Sequence, residues 1–250
     1  MRAGDHMTNQ QKMPSGAFNK EHAAEYDIRW KPLASITDTL HLFSRSALNT
    51  LPDDAHILCA GVGTGADILA FAETYPGWRF TGFDPSEAML DVCKKRMDDA
   101  GLAGRYTLHQ GYIEDLPPSE PFDGAVSFLV SHFITEEKER SGFYRAIADR
   151  LKPGALYLNA DLAADFNDAS FDDLMKIWLS TIAIAGMGTE GQANYRKMFG
   201  RDVAAHTPQQ VEAMIAASGF TKPVRFYQAA LICAWLAHKP KPNRRFWRQP

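Results

Sequence analysis

Short apolar runs alternate with longer amphipathic stretches along most of this chain. Five of the apolar runs have the length of strands: 56–60, 78–83, 105–109, 122–129 and 154–160. Three amphipathic stretches between them have the spacing of helices: 66–75, 86–100 and 136–151. Strands joined through helices of this length need right-handed crossovers, which leave neighbouring strands parallel. The pattern therefore predicts an α/β domain built on a mainly parallel sheet.

Further elements precede and follow this alternation. Before it, Glu21 to Arg29 predicts a short helix, and Pro32 stands at the first turn of a second one. After it, residues 161–207 break the pattern, although apolar positions from Phe171 to Ile182 still recur at helical spacing. That spacing suits core packing of an inserted helix, and it also suits a lid or a dimer face. The sequence leaves these alternatives open.

The last elements are a helix and two closely spaced apolar runs. Residues 207–210, Thr-Pro-Gln-Gln, form a helix start, because the threonine can cap, the proline fits the first turn and the second glutamine completes a capping box. The runs 223–228 and 230–238 follow with almost no connection between them. Only an antiparallel pair or a bulged continuous strand fits so short a link.

Composition and charge exclude several classes of protein. A net charge of −3 and an isoelectric point near 6.2 argue against a nucleic-acid-coating protein, because neutralising phosphates needs a basic face. Three cysteines without a close pair predict neither a disulfide framework nor a zinc site, which indicates a reducing compartment. Residues 1–13 lack the apolar core of a secretory signal, and the longest apolar run, 229–237, is about half of a membrane span. We therefore expect a cytoplasmic protein without a membrane segment.

The ends of the chain differ in composition from the part between them. Residues 1–19 are polar and aperiodic and predict a flexible arm, whereas 20–238 form a single domain. Residues 239–250 carry five Lys and Arg side chains and three prolines. Such a tail is either a solvated, mobile end or a contact for an acidic partner.

A glycine-rich loop at the first predicted strand carries the clearest chemistry. The strand leads into Gly61, Gly63 and Gly65 and out into a helix, so that a ligand can approach the backbone near the positive end of that helix. The next strand ends at Asp84, whose carboxylate can accept both hydroxyls of a ribose. Because Gly61, Gly63 and Ala66 also fit the dinucleotide-binding pattern, the loop alone does not choose between cofactors.

An ordered series of motifs around this loop suggests a family. The series comprises residues 84–90, Gly111 ahead of 113–117, 122–124 and 151–154. With it the sequence resembles the class I S-adenosylmethionine (SAM)-dependent methyltransferases over roughly 20–238, specifically the subgroup of quinone C-methyltransferases and carboxy-SAM synthases. The resemblance implies a doubly wound seven-stranded sheet with an antiparallel last strand, an N-terminal helical lid and a helical insertion before the last helix. It also implies SAM as cofactor and a small molecule as methyl acceptor.

The resemblance also implies which residues hold the cofactor. They are Tyr26, Arg29, Gly61, Gly63, Gly65, Asp84, Pro85, Met89, Tyr112, Ile113 and Phe128. On one face of the first helix, Tyr26 would shield the sulfonium and Arg29 would bind the methionine carboxylate, unless the helix is only a surface element. The family usually has acids where Cys59 and Tyr112 stand, so Tyr112 would flank the adenine here, with polar contacts from the Ile113 backbone or Glu114.

Residues after the fourth and fifth strands are candidates for the acceptor side. His132 is a candidate base near the transferred methyl group, although a histidine here can also serve positioning or packing. Asn159 and Asp161 could orient polar groups of the acceptor. Tyr195 and Trp178 of the insertion are aromatic candidates, with core packing as the alternative, and Tyr195 is taken as the second catalytic candidate.

Three other functions fit parts of the sequence. An enzyme could cyclise, cleave or modify SAM instead of donating its methyl group, and a non-catalytic SAM-binding module could act through partners. An NAD oxidoreductase would share the glycine loop. A homodimer is compatible with the insertion, and nucleic acid is not expected as a partner.

Overall fold

The computed structural model describes residues 20–204 and 206–242. The predicted arm 1–19 and residues 243–250 of the basic tail lie outside the described residues. Eight α-helices are present in this part of the chain: α1 Lys20–Trp30, α2 Ala34–Leu48, α3 Ala66–Thr74, α4 Glu87–Asp99, α5 Glu137–Asp149, α6 Phe171–Ile184, α7 Thr189–Met198 and α8 Pro208–Ala217. Seven strands accompany them: β1 His56–Ala60, β2 Arg79–Asp84, β3 Tyr106–Gln110, β4 Phe122–Phe128, β5 Leu151–Leu162, β6 Val224–Ala229 and β7 Ile232–His238.

The seven strands form one sheet in the order β3-β2-β1-β4-β5-β7-β6. The pairs from β3 to β5 are parallel, and β7 runs antiparallel to both of its neighbours. This confirms the predicted doubly wound sheet with an antiparallel last strand. The carboxyl ends of β1, β2, β4 and β5 therefore meet at one edge, where ligands bind in open α/β sheets.

Helices cover both faces of the sheet. On one face α5 and α8 pack through Phe143, Ile147, Val211 and other apolar side chains. On the other, α3 and α4 contribute Phe71, Cys93 and their neighbours. Among the described residues, no helix is both long enough and apolar enough to cross a membrane.

Local signals explain where several elements begin. Thr207 Oγ1 accepts a hydrogen bond from Gln210 N at 3.1 Å, and Thr207 N donates to Gln210 Oε1 at 2.8 Å, which confirms the predicted capping box. The link between β6 and β7 is only residues 230–231, and the two strands pair antiparallel. The predicted helix after Pro32 begins with a short 3₁₀ turn at 31–33.

The region 161–207 folds differently from the prediction at its start. Its first two residues, Asp161 and Leu162, extend β5. Two helices follow, α6 and α7. Phe171, Met175, Trp178 and Ile182 of α6 are buried in a third apolar cluster with Leu33 and Leu231, which is the core-packing alternative.

Candidate active site

The glycine loop, residues 61–65, joins β1 to α3 and is tied to β2 by a hydrogen bond from Val62 N to Phe83 O of 3.0 Å. Gly61 has φ +63°, and a Cβ there would lie 2.4 Å from the Val130 side chain, on the turn after β4. Gly63 has φ +52°, but the nearest atom to a Cβ there would be Met89 Cε, at 3.7 Å. The loop is therefore closed at Gly61 and open at Gly63, where a ligand can reach the backbone.

Asp84 at the end of β2 faces this loop. Its Oδ2 accepts from Gly63 N at 3.0 Å, and its Oδ1 accepts from Ser86 N at 2.9 Å. Burial raises the pKa of Asp84, while these two backbone hydrogen bonds oppose the rise. Each carboxylate oxygen keeps a further lone pair, so the group can accept ribose hydroxyls beside the loop. The structure thus brings the predicted glycines and carboxylate together.

The predicted adenine-side residues lie around Asp84. Pro85 and Met89 follow it at the start of α4, and Tyr112 stands in the turn after β3. Burial raises the pKa of Tyr112, with the charges of Asp115 and Asp84 adding to it. The Ile113 side chain is buried in the core, and its carbonyl accepts from Arg150 Nη2 at 3.1 Å. This anchoring fixes the segment that would face the adenine.

The first helix, α1, lies against the loop through Asp27. Asp27 Oδ1 accepts from Thr64 Oγ1 at 3.0 Å, and Asp27 Oδ2 is ion-paired with Arg96 of α4. Burial raises the pKa of Tyr26 to about 12, with smaller contributions from the charges of Asp27, Asp67 and Asp84. The Tyr26 phenol therefore lies on the carboxylate side of the loop.

Arg29 does not take the predicted place beside Tyr26. Ala23, Tyr26, Asp27 and Trp30 form the inner face of α1, because Tyr26 and Asp27 lie three and four residues after Ala23, and Trp30 lies four and three residues after them. Arg29 is exposed on the outer face and has no hydrogen-bond or ion-pair partner among the described residues. Tyr26 and Arg29 are three residues apart, but they do not share the inner face of the helix. A different cation, Arg96 of α4, lies beside the glycine loop.

A histidine–carboxylate pair, which the sequence analysis did not predict, joins α2 to the start of α3 directly after the loop. His41 Nε2 lies 2.7 Å from Asp67 Oδ1, in the first turn of α3. The ring of Phe128 is 6.3 Å from that of His41, and Phe128 is buried. Phe128, predicted to hold the cofactor, thus packs against the rings of His41 and Phe71. Asp67 also lies near the buried Cys59, where its charge adds to the effect of burial in raising the thiol pKa.

His132, the first of the two predicted catalytic residues, lies in the turn after β4 and pairs with Asp161 of β5. His132 Nδ1 is 2.9 Å from Asp161 Oδ1, and His132 N donates to the same oxygen at 3.0 Å. An ionised carboxylate only accepts, so Nδ1 carries a proton and donates it to Asp161. Within the described residues Nε2 has no hydrogen-bond partner. The ring is therefore held through its Nδ1 side, and Nε2 is not used by the pair.

Asp161 is fully buried and saturated with donors. Its Oδ2 accepts from Ser131, from Arg140 Nη2 at 2.9 Å and from Asn159 Nδ2 at 2.8 Å. Burial alone would raise the pKa of Asp161, but Arg140 and the hydrogen bonds from His132 and Ser131 hold it well below its usual value. Asn159 and Asp161 face inward, so the expectation that they orient the acceptor directly is wrong.

Tyr195, the other predicted catalytic residue, lies among aromatic side chains of the region 161–207. Burial raises its pKa to about 12, the neighbouring Trp178 opposes the rise, and the charge of Tyr26 adds to it. Its ring centroid is 6.5 Å from that of Trp178 and 5.8 Å from that of Phe199. Tyr195 therefore packs with the rings of Trp178 and Phe199, which is the core-packing alternative for this residue.

Comparisons with known proteins bear on this arrangement. Residues 57–154 match the family described as methyltransferase domain. The biotin biosynthesis bifunctional protein BioHC of Teredinibacter turnerae is 30% identical over 150 residues, 57% of this chain and 25% of that protein. The demethylmenaquinone methyltransferase of Symbiobacterium thermophilum is 30% identical over 115 residues, 45% of this chain and 44% of that protein. The chain spans less than half the length of these relatives.

Solved structures share the fold over most of the chain. Human N-acetylserotonin methyltransferase in complex with SAM superposes with a TM-score of 0.65 at 16% identity, covering 92% of this chain and 60% of that one. Magnesium protoporphyrin IX methyltransferase of Synechocystis with bound S-adenosylhomocysteine (SAH) gives 0.64 at 15% identity, covering 89% and 96%. Together with the strand order, these superpositions show that the described residues have the class I methyltransferase fold, within which residues 57–154 match the methyltransferase domain family.

Proposed function

We propose that this protein is a SAM-dependent methyltransferase that methylates a small molecule. The observation that carries the proposal is the placement of an oriented base beside the glycine loop. Val130, two residues before His132, packs on Gly61, while Asp84 and the open side of Gly63 lie on the same edge of the sheet. When bound, SAM supplies the methyl group.

Residues around the loop fit the cofactor. The open Gly63 would let the methionine portion approach the backbone, because no protein atom fills that space. Asp84 would accept the ribose hydroxyls, and Pro85, Met89, Tyr112 and Ile113 would border the adenine. Tyr26 would place its ring near the sulfonium.

His132 would act on the acceptor. Methyl transfer depends mainly on alignment, and a base is needed only where the nucleophile must lose a proton. The bare Nε2 of His132 favours an acceptor of that kind, such as a hydroxyl group. Two relatives are named for small molecules, demethylmenaquinone methyltransferase and the fatty-acid O-methyltransferase of Mycolicibacterium smegmatis, which supports the acceptor class. A cytoplasmic location and a homodimer stay predictions.

Calorimetry and product analysis test this function. We expect the purified protein to bind SAM and SAH and not NAD. With hydroxyl-bearing quinols and fatty acids offered as acceptors, the sulfur product should be SAH. Methylthioadenosine or a modified SAM would indicate the alternative of cofactor remodelling, and NAD binding without SAM binding would overturn the proposal. His132→Asn should keep SAM affinity and lose turnover.

A further inference from the structure

A buried arginine, Arg140 of α5, stands behind the His132–Asp161 pair. Its side chain has no exposed surface. Its Nη2 donates to Asp161 Oδ2 at 2.9 Å, its Nε donates to Tyr144 Oη at 2.9 Å and to Ser131 Oγ at 3.1 Å, and its Nη1 donates to His206 Nδ1 at 3.1 Å. A guanidinium only donates and stays charged, so it is a fixed cation inside the domain.

The hydrogen bonds around Arg140 have only one consistent direction. Because Asp161 only accepts, Ser131 must donate its hydroxyl proton to it. Ser131 and Tyr144 are 2.6 Å apart, so Tyr144 must then donate to Ser131. His206 accepts from Arg140 at Nδ1, and burial followed by the charge of Arg140 lowers the pKa of His206, although Glu137 and Asp161 oppose this. The cluster is therefore complete with a neutral His206 and with a proton on Nδ1 of His132, and none of its hydrogen bonds uses His132 Nε2.

The charges in this cluster cancel. Asp161 contributes one negative charge and Arg140 one positive charge, and both side chains are fully buried. A buried carboxylate without its partner is costly, so another positive charge would have to replace the guanidinium. At neutral pH the available replacement is a proton, bound by Asp161 or by His132. If His132 bound this proton, the proton would occupy Nε2. If Asp161 bound it, the carboxyl group could donate, and His132 would no longer need a proton at Nδ1.

We propose that Arg140 is a positioning residue that supplies a fixed positive charge in place of a proton, and so keeps the Nε2 atom of His132 bare. Its importance for turnover rests on the proposed function, because a bare Nε2 matters only if His132 takes a proton from an acceptor. The arrangement of charge and protons can be tested on the protein without cofactor or acceptor.

Nitrogen-15 NMR of the histidine rings at pH 7 tests the proposal, with the His132 signals assigned by loss in His132→Asn. We expect the unaltered protein to show a protonated Nδ1 and a bare Nε2. Arg140→Gln should lose this single pattern, through a proton on Nε2 or a mixture of both tautomers, and Arg140→Lys should restore it. Arg145→Gln is the matched control, because Arg145 lies exposed on the same helix and donates only to Ala217 O. A folded Arg140→Gln protein with the unaltered pattern would overturn the proposal.

A double variant keeps the test decisive if Arg140→Gln does not fold. Arg140→Gln with Asp161→Asn removes both buried charges, so it should recruit no additional proton, and the His132 ring should stay neutral with one protonated nitrogen. A double variant whose His132 ring carries a proton on both nitrogens at pH 7 would also overturn the proposal. SAM binding, measured separately by calorimetry, tests the proposed function, and its failure would leave the NMR result intact.

Discussion

Asp84 both holds the glycine loop and faces the space beside it. We expect Asp84→Ala to weaken SAM binding by about 1.5–3 kcal/mol, the range for hydrogen bonds to a charged group. Asp84→Asn is the control, since it keeps one oxygen to accept from Gly63 N and loses the charge. Calorimetry gives the affinities and thermal melting reports the fold. An unchanged dissociation constant in both variants would remove Asp84 from the site.

Gly63 can be tested against a glycine with the same backbone conformation elsewhere. Among the described residues, a methyl group at Gly63 meets no atom closer than 3.7 Å, and one at Gly101, with φ +70°, meets none within 4 Å. An alanine at either place has a left-handed backbone, which costs about 1–2 kcal/mol. We therefore expect Gly63→Ala and Gly101→Ala to lose similar stability, while only Gly63→Ala loses SAM affinity, by about tenfold or more. Equal affinities would mean that the cofactor does not approach the loop there.

At the scale of elements, α1 is attached to the site by an ion pair that bridges it to α4. The Asp27 and Arg96 side chains are 35% and 26% exposed, so the pair is worth up to about 1 kcal/mol. We expect Asp27→Asn to speed amide exchange over 20–30, and SAH to restore part of the protection. Asp99→Asn is the control, because it breaks an exposed pair with Lys95 within α4. Unchanged exchange in Asp27→Asn would assign the attachment of α1 to the packing of Ala23.

Elements with local signals were predictable from the sequence, and elements without them were not. The strand His56–Ala60 and the capping box of α8 depend on residues that are neighbours in the sequence, and both lie at their predicted positions. The helix α7 was missed because its side chains are at most partly buried, so it has no apolar period. The place of β7 between β5 and β6 agrees with the family resemblance and has no signal in the residues themselves.

The same distinction divides the site. The glycine loop and Asp84 form a motif within one βαβ unit, so the sequence reveals them. Arg140 reads as an ordinary polar position on an amphipathic helix, and its partners come from several elements, as far along the chain as His206. No spacing rule joins them, because only the tertiary fold brings them into contact.

At the scale of the whole molecule, the buried Asp161 makes stability depend on acid. Its pKa is held below the usual value of about 3.9, so its stabilising effect is complete above that pH and is lost as the pH falls through the lower, folded-state value. We expect the urea midpoint of the unaltered protein to fall below about pH 4. Asp161→Asn should lower the free energy of unfolding at pH 7 by about 3–5 kcal/mol, which lowers the urea midpoint. The midpoint of this variant should also depend less on pH. Parallel curves for both proteins would contradict this.

The antiparallel pairing of β7 with β5 means that the sheet cannot be completed during synthesis until the end of the described chain has been made. Asp161 lies opposite Cys233, so the strand that carries it has an open edge until residues 232–238 have been made. An open edge of a buried strand is a template for pairing with other chains. A nascent chain halted before residue 232 therefore exposes the unpaired edge of β5, which is the kind of surface that leads to association with other chains.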